Sequence, residues 1–138
     1  MGVGAVIAQR HGTDLGAAGA RLYDPACPTR TSSGGKSACG AAFSYMTGQP
    51  RADARDYVGI LRKKKSGYYE LGPDDEFQLD DRLVWTSYGS GAMGSKYGHA
   101  AIVGMQNGEP VAVSLFNGRK DIRKISNFGT LHVFRKRQ

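Results

Sequence analysis

Two residues of this sequence have the types and the setting that nucleophilic catalysis requires. Cys39 stands near the start of a short amphipathic helix predicted over residues 37–48, and His99 opens an apolar strand predicted over residues 97–104. A helix N-terminus and a neighbouring imidazolium both stabilise a thiolate, whose parent thiol otherwise has a pKa of about 8.5. Ser37 is a candidate N-cap, which would place Cys39 in the first turn, among backbone N–H groups that could also receive an oxyanion. This pattern predicts a cysteine hydrolase.

The other cysteine, histidines and carboxylates give weaker signals. Cys27 precedes Pro28 in a loop with no predicted helix N-terminus, and His11 and His132 are expected to be structural or exposed. A Cys27–Cys39 bridge would consume the nucleophile, so we do not expect one, although a reversible bridge would hold the protein inactive. No Cys/His spacing resembles a structural zinc site, so we expect no metal. The carboxylates between residues 74 and 81 form a polar linker, and their spacing does not support a glycosidase acid pair. They are Asp74, Asp75, Glu76, Asp80 and Asp81.

Length and charge limit the class of protein. The 138 residues and 40% hydrophobic content fit one domain, residues 1–138, with a real core. No stretch approaches the roughly 20 apolar residues of a membrane-spanning helix, and the run over residues 2–8 is too short for a convincing signal peptide. A net charge of +7 predicts an anionic partner or surface, either nucleic acid or the bacterial envelope. The basic residues cluster at 62–65, 119–120, 123–124 and 135–137.

The elements that must position the two residues begin with helices. Residues 15–22 predict a turn or two of helix, and a loop rich in Pro, Ser and Gly follows over residues 25–36. Two later segments repeat apolar residues at helical spacing, the first ended by Gly48 as a C-cap and the second beginning after Pro50. Their apolar residues are Ala38, Ala41, Ala42, Tyr45 and Met46 in the first segment, and Ala54, Tyr57, Val58 and Leu61 in the second.

From Arg82 onward the hydrophobic period changes to two, which indicates strands. Asn107-Gly108 is the strongest hairpin signal in the chain, and Asn117-Gly118 marks a second turn. Helices followed by an antiparallel sheet predict an α+β domain. Strands are expected near residues 82–87, 99–106, 110–116, 121–126 and 130–135.

Strand geometry indicates what can surround His99. Alternate side chains of a strand share a face, so His99, Ala101 and Val103 point to the same side. His99 then lies at the open end of its strand, beside a Gly-rich loop over residues 88–96. A polar residue on the following strand would complete the nucleophile, base and orienting group of a catalytic triad.

At this point the sequence resembles the papain-like peptidoglycan amidase superfamily that includes the CHAP and NlpC-type domains. The resemblance covers roughly residues 37–117, and its most specific piece is Leu83-Val84-Trp85, then the Gly-rich loop, then Tyr97-Gly98-His99-Ala100-Ala101-Ile102-Val103. The segment Ala38-Cys39-Gly40-Ala41-Ala42-Phe43 matches the cysteine helix of these families less closely. The resemblance implies a papain-like/NlpC-type fold, with N-terminal helices packed on a C-terminal antiparallel sheet. It also implies that Cys39 is the nucleophile and His99 the general base.

The resemblance also suggests a third catalytic residue. CHAP domains carry an acidic residue and then an asparagine on the strand after the histidine, and Val113-Ser114-Leu115-Phe116-Asn117 is similar to that stretch, with Leu115 where the acid would be. Asn117 would then orient the His99 imidazole through its side-chain oxygen. Because Asn117 also belongs to an Asn-Gly turn, Ser114, a backbone carbonyl and a water stay open as alternatives.

The resemblance therefore implies a cysteine amidase or endopeptidase that cuts an amide in the peptide stems or cross-links of peptidoglycan and needs no cofactor. A small single-domain form without a visible signal peptide is similar to the antibacterial amidase effectors of type VI secretion. Such effectors act in the periplasm of a target bacterium and are neutralised by a cognate immunity protein, which the resemblance implies as a partner. A phage endolysin is also compatible with these features.

Two alternatives come from other classes of protein. A nucleic-acid-directed toxin would use the basic clusters to bind phosphates and His99 or His132 to cleave RNA. It leaves the Cys39 helix unexplained, and Tyr68-Tyr69 is a weak stacking signal, so we do not expect nucleic acid as the partner. The second alternative is a non-catalytic interaction domain with a degenerate site.

Overall fold

The computed structural model describes residues 12–30, 38–87, 98–126 and 129–138. In these ranges it contains α1 (Gly16–Ala20), α2 (Ala38–Thr47) and α3 (Tyr57–Arg62), with 3-10 turns at Arg21–Tyr23, Ala54–Asp56 and Lys64–Ser66. The strands are β1 (Thr13–Asp14), β2 (Tyr68–Glu70), β3 (Arg82–Ser87), β4 (His99–Gln106), β5 (Glu109–Phe116), β6 (Arg119–Lys124) and β7 (Thr130–Lys136). The predicted α+β class is confirmed. None of the helices in these ranges has the length and apolar character needed to cross a membrane.

All the described strands belong to one antiparallel sheet. Its order is β2-β7-β3-β4-β5-β6, and β1 pairs with the far end of β4. The β4–β5 and β5–β6 connections are tight hairpins in which Asn107, Gly108, Asn117 and Gly118 have φ values of 51°, 82°, 50° and 74°. Positive φ at both central residues is what a type I′ turn requires, so both hairpin predictions are confirmed.

The α2 helix ends where its sequence predicts. Gly48 has a φ of 76°, and its N–H donates to the carbonyl of Ser44 at 2.9 Å, which closes the last turn. The predicted N-cap, Ser37, lies outside the described residues. The buried face differs from the prediction, because Phe43 is fully buried while Tyr45 is only half-buried. Phe43 packs on Tyr57, with ring centroids 4.5 Å apart, so α2 is covered by the α3 region as well as by the sheet.

The sheet separates two apolar clusters. Helix residues such as Phe43 and Leu61 pack with Ala100 and Ile102 on one face, which we call the helix face. The opposite face carries a second cluster, formed by Leu83, Trp85, Ala101, Val103 and Ala112, and these residues are also buried. Because side chains alternate along β4, His99 lies on this second face.

Two segments differ from the sequence-based expectation. Residues 68–70 form the short edge strand β2, in which Tyr68 is buried instead of presenting a ring to a base. Asp81 is not part of a solvated linker, since it is 1% exposed and accepts hydrogen bonds from Arg135 at 2.8 and 2.9 Å. Both differences arise from partners on β7, more than 50 residues further along the chain.

Candidate active site

Cys39 lies in the first turn of α2, as predicted. It is the second residue of the helix and is half-buried against the helix-face cluster. The first N–H groups of a helix have no carbonyl partner within it, so this end of α2 offers hydrogen-bond donors and partial positive charge. The Sγ of Cys39 lies 4.0 Å from the carbonyl oxygen of Gly98. The thiol therefore sits beside the start of β4, one residue before His99.

Gly98 sets the path of the chain at this point. Its φ is 72°, and a Cβ there would lie 2.2 Å from the carbonyl oxygen of Trp85 and 3.0 Å from the Cβ of Arg55. Both the backbone conformation and the lack of space require glycine. Gly98 therefore lets its carbonyl approach the thiol while His99 enters the sheet opposite Trp85.

The contacts that hold His99 include a hydrogen bond and two aromatic rings. Its Nε2 lies 3.0 Å from the Oγ of Ser114, which is fully buried on β5. The Trp85 ring lies 5.3 Å from the imidazole, and Phe116 meets it edge-on at 5.7 Å. Asn117 is exposed in the β5–β6 turn. Of the two side chains predicted as candidates for the orienting group, Ser114 contacts the His99 imidazole.

The environment of His99 keeps its imidazole neutral. Burial lowers the pKa of His99 to about 4, the charge of Arg123 lowers the pKa as well, and Asp121 opposes the shift. Arg123 stacks on Phe116 at 3.8 Å and forms an ion pair with Asp121, so both charges are fixed on β6. Neutral His99 has one N–H and one lone pair, and a pKa of about 4 disfavours protonation of that lone pair at neutral pH.

The thiol and the imidazole lie on different sides of the sheet. Cys39 packs on the helix face, whereas His99 shares the opposite face with Trp85. The structure brings the Cys39 thiol to the Gly98 carbonyl and the His99 imidazole to Ser114. The Gly98–His99 peptide links these two contacts.

Tyr57 is a neighbour of the thiol that the sequence predicted only as a core residue. Its hydroxyl lies 2.7 Å from the carbonyl oxygen of Pro50 and 3.1 Å from that of Gly40, the residue after Cys39. Burial raises the pKa of Tyr57 to about 12, and the negative charge of a Cys39 thiolate contributes to this rise. Tyr57 therefore ties the first turn of α2 to the segment before α3. A tyrosine on an otherwise apolar helix face was the signal for such a contact.

The remaining candidates lie elsewhere. Cys27 is buried with its Sγ 3.8 Å from the carbonyl oxygen of Pro28, and burial raises the pKa of its thiol, the reverse of what activates a nucleophile. Cys27 and Cys39, both within the described ranges, are not joined by a disulfide. The Nδ1 of His132 lies 2.8 Å from Oε2 of Glu70. His11 and the Gly-rich loop lie outside the described residues.

Neither a metal site in the described residues nor a match to a known protein helps to assign the chemistry of this site. In the part of the chain that the structure describes, no three His, Cys, Asp or Glu side chains are grouped so that they could hold a metal ion. Comparison with protein-family models, with curated proteins and with solved structures finds no match to the chain. The chemistry assigned to the site therefore depends on its own residues.

Proposed function

We propose that this protein is a cysteine-dependent amidase, with Cys39 as nucleophile, His99 as general base and Ser114 as the group that orients the imidazole. The observation that carries this proposal is the position of the thiol. Its Sγ lies in the first turn of a helix and 4.0 Å from the carbonyl of the residue that precedes a buried histidine. A nucleophile, a base and an orienting group on adjoining elements are what covalent amide hydrolysis requires.

The contact with Ser114 assigns a role to each nitrogen of His99. If Nε2–H donates to the Ser114 hydroxyl, Nδ1 carries the lone pair that takes the proton from the Cys39 thiol. The thiol and the imidazole lie on opposite faces of the sheet, so the proposal requires Nδ1 and Sγ to approach each other when substrate binds. It also requires the thiolate that forms to raise the pKa of His99.

The reaction then follows the chemistry of a thiol nucleophile. The thiolate attacks the amide carbonyl, and backbone N–H groups in the first turn of α2, including that of Cys39, stabilise the oxyanion. The imidazolium of His99 returns its proton to the leaving amine, and water hydrolyses the thioester that remains on Cys39. No step needs a cofactor.

We propose peptidoglycan as the substrate, with cleavage of an amide in its peptide stems or cross-links. The net charge of +7 favours adhesion to an anionic envelope, and the resemblance of residues 83–103 to the strand, loop and histidine strand of wall amidases supports the same substrate. An antibacterial effector that acts in the periplasm of a target cell, with an immunity protein as its partner, fits these features. A phage endolysin would use the same chemistry.

The contacts of the basic residues favour an amidase over an RNA-cleaving toxin. Arg62 and His132 both bind the carboxylate of Glu70, at 2.7 and 2.8 Å, and Arg135 binds Asp81. These three side chains already contact carboxylates within the protein. An RNA-cleaving site at His132 would have to break the contact between His132 and Glu70. Burial of Tyr68 also removes one of the two rings that could stack on a base.

Digestion of purified peptidoglycan tests the proposal. We expect new free amines, detected by mass analysis of the soluble products, from the unaltered protein and from Cys27→Ala, but none from Cys39→Ala. Cys27→Ala is the matched control, because it also removes a thiol but not the proposed nucleophile. New reducing sugar ends without new amines, or amine release by folded Cys39→Ala, would contradict an amidase that uses Cys39.

A further inference from the structure

Two basic segments that are distant in the sequence meet at one corner of the sheet. Residues 63–65 lie just before β2, and residues 136–137 lie at the end of β7, the strand that pairs with β2. The backbone N–H of Arg137 donates to the carbonyl of Gly67 at 2.7 Å, which fixes the second segment beside the first. We call this set of residues the basic corner, and its members are Lys63, Lys64, Lys65, Lys136 and Arg137.

The side chains of the basic corner are exposed, and their charges are not neutralised by ion pairs. All the Asp and Glu residues of the chain lie within the described ranges, and the ion pairs of those ranges include no residue of the corner. Two neighbouring arginines differ, because Arg62 binds Glu70 and Arg135 binds Asp81. The corner therefore holds the cations of this region that remain available to an external partner.

Nearby negative charge does not cancel the charge of the corner. Asp80 and Gln138 line a cavity together with Lys136 and Arg137. When one negative charge is counted for Asp80 and one for a carboxylate on Gln138, five cations against two anions leave three positive charges. A surplus of this kind attracts an anionic surface.

Tyr69 adds an aromatic side chain to this region. It is the exposed large hydrophobic side chain of the described residues, 37% exposed, and the guanidinium of Arg137 lies 5.4 Å from the centre of its ring. Tyrosine and long basic side chains both combine an apolar body with a polar tip, which suits the headgroup region of a bilayer. A ring that Arg137 already covers on one face is a poor platform for a nucleic-acid base, and the neighbouring ring of Tyr68 is buried.

The basic corner and the thiol site lie at opposite ends of the sheet. On β3, Trp85 pairs with His99 at one end, and Arg82 pairs with Phe134 at the other. The corner continues beyond Phe134, whereas the Cys39 thiol lies beside the residue that precedes His99. A partner bound at the corner therefore leaves the thiol end of the sheet uncovered.

We propose that the basic corner and Tyr69 dock the protein on a bilayer of anionic phospholipids. The five cations bind lipid phosphates, and the Tyr69 ring enters the headgroup layer. Each basic residue near an anionic bilayer strengthens binding about fivefold. In this orientation the thiol site faces away from the bilayer. The inference does not depend on the amidase proposal, because docking needs neither Cys39 nor turnover.

Cosedimentation of the whole protein with lipid vesicles tests the docking. One set of vesicles contains equal parts of phosphatidylglycerol and phosphatidylcholine, and the other contains phosphatidylcholine alone. We expect the protein to bind the first set and not the second, and the binding to weaken as salt is added.

Matched variants locate the surface that binds. Replacement of Lys63, Lys64 and Lys65 by glutamine should weaken binding to the anionic vesicles about a hundredfold. Replacement of Arg30, Arg119 and Lys124 by glutamine is the control, since it removes the same charge from exposed residues outside the corner, and it should weaken binding by less than about tenfold. Tyr69→Ser leaves the charge unchanged and should weaken binding several-fold.

Three results would overturn the proposal. The first is equal binding to the two sets of vesicles, and the second is an equal loss of affinity in the two triple variants. The third is tighter binding to a single-stranded RNA than to anionic vesicles at the same phosphate concentration, which would assign the corner to nucleic acid. None of these results depends on whether Cys39 is catalytic.

Discussion

Replacement of His99 by glutamine should reduce the amount of folding stability that the protein loses as the pH falls. In the native protein the pKa of His99 is about 4, whereas an exposed histidine in the unfolded chain has a pKa near 6.5. Between these values the unfolded state binds a proton that the folded state does not accept. The stabilising effect of neutral His99 is therefore complete above pH 6.5 and is lost as the pH falls toward 4.

The size of the loss in folding stability follows from the shift in the pKa of His99. Each pKa unit corresponds to about 1.4 kcal/mol, so the whole effect is about 3 kcal/mol, of which about 2 kcal/mol should already be lost at pH 5. Most carboxylates of ordinary pKa remain ionised at pH 5, so this pH isolates the histidine contribution. Glutamine cannot titrate, and its amide can still reach the Ser114 hydroxyl.

Urea unfolding at pH 7.5 and pH 5 measures the effect. The unaltered protein should lose about 2 kcal/mol more stability between these pH values than His99→Gln does. The matched control is His132→Gln, which retains the buried imidazole of His99. It should lose as much stability between the two pH values as the unaltered protein does. Parallel pH dependence for the unaltered protein and His99→Gln would refute the argument that His99 is held neutral by burial.

Three further changes test the contacts around the site and the core. Ser114→Ala should lower amine release from peptidoglycan about tenfold or more, because it removes the group that contacts Nε2 of His99. Asn117→Ala should stay close to the unaltered rate, and the opposite order would restore Asn117 as the orienting residue. Gly98→Ala should lower the free energy of unfolding by about 3 kcal/mol or more, because its Cβ would overlap the Trp85 carbonyl. Gly108→Ala is the control, since Gly108 has a similar φ but open space around it, and it should lower the free energy of unfolding distinctly less. Equal losses in the two variants would mean that the overlap at Gly98 is relieved. Arg135→Met should lower the free energy of unfolding in urea by about 3 kcal/mol, since it leaves the Asp81 carboxylate buried without its counter-charge. Arg62→Met should lower it less, because Glu70 is partly exposed. A tolerated Arg135→Met would mean that another group neutralises Asp81.

The sequence predicted those elements whose signals are local. Period-two alternation marked β3 and β4 at their observed bounds, and the two Asn-Gly pairs marked hairpins because both residues of each pair adopt positive φ. Gly48 ended α2 for the same kind of local reason. The short strand β2 was missed because three residues carry little periodicity, and its formation depends on pairing with β7.

The parts of the site that escaped prediction depend on contacts between distant residues. Alternation correctly grouped His99 with Ala101, but it could not indicate which face of the sheet α2 would cover. The choice between Asn117 and Ser114 likewise depended on which side chain shares the face of His99 across two strands. Asp81 resembled a solvated linker residue because its partner, Arg135, is remote in sequence.

The pH dependence of Cys39 alkylation tests most directly whether this thiol and His99 act together. Iodoacetamide modification of Cys39 would be followed by mass spectrometry between pH 5 and 10, in a Cys27→Ala background that leaves one thiol. We expect slower alkylation near neutral pH in His99→Gln than in the protein that retains His99, because the neutral imidazole takes the thiol proton as a general base. Superimposable profiles for the two proteins would contradict the proposal that His99 activates Cys39.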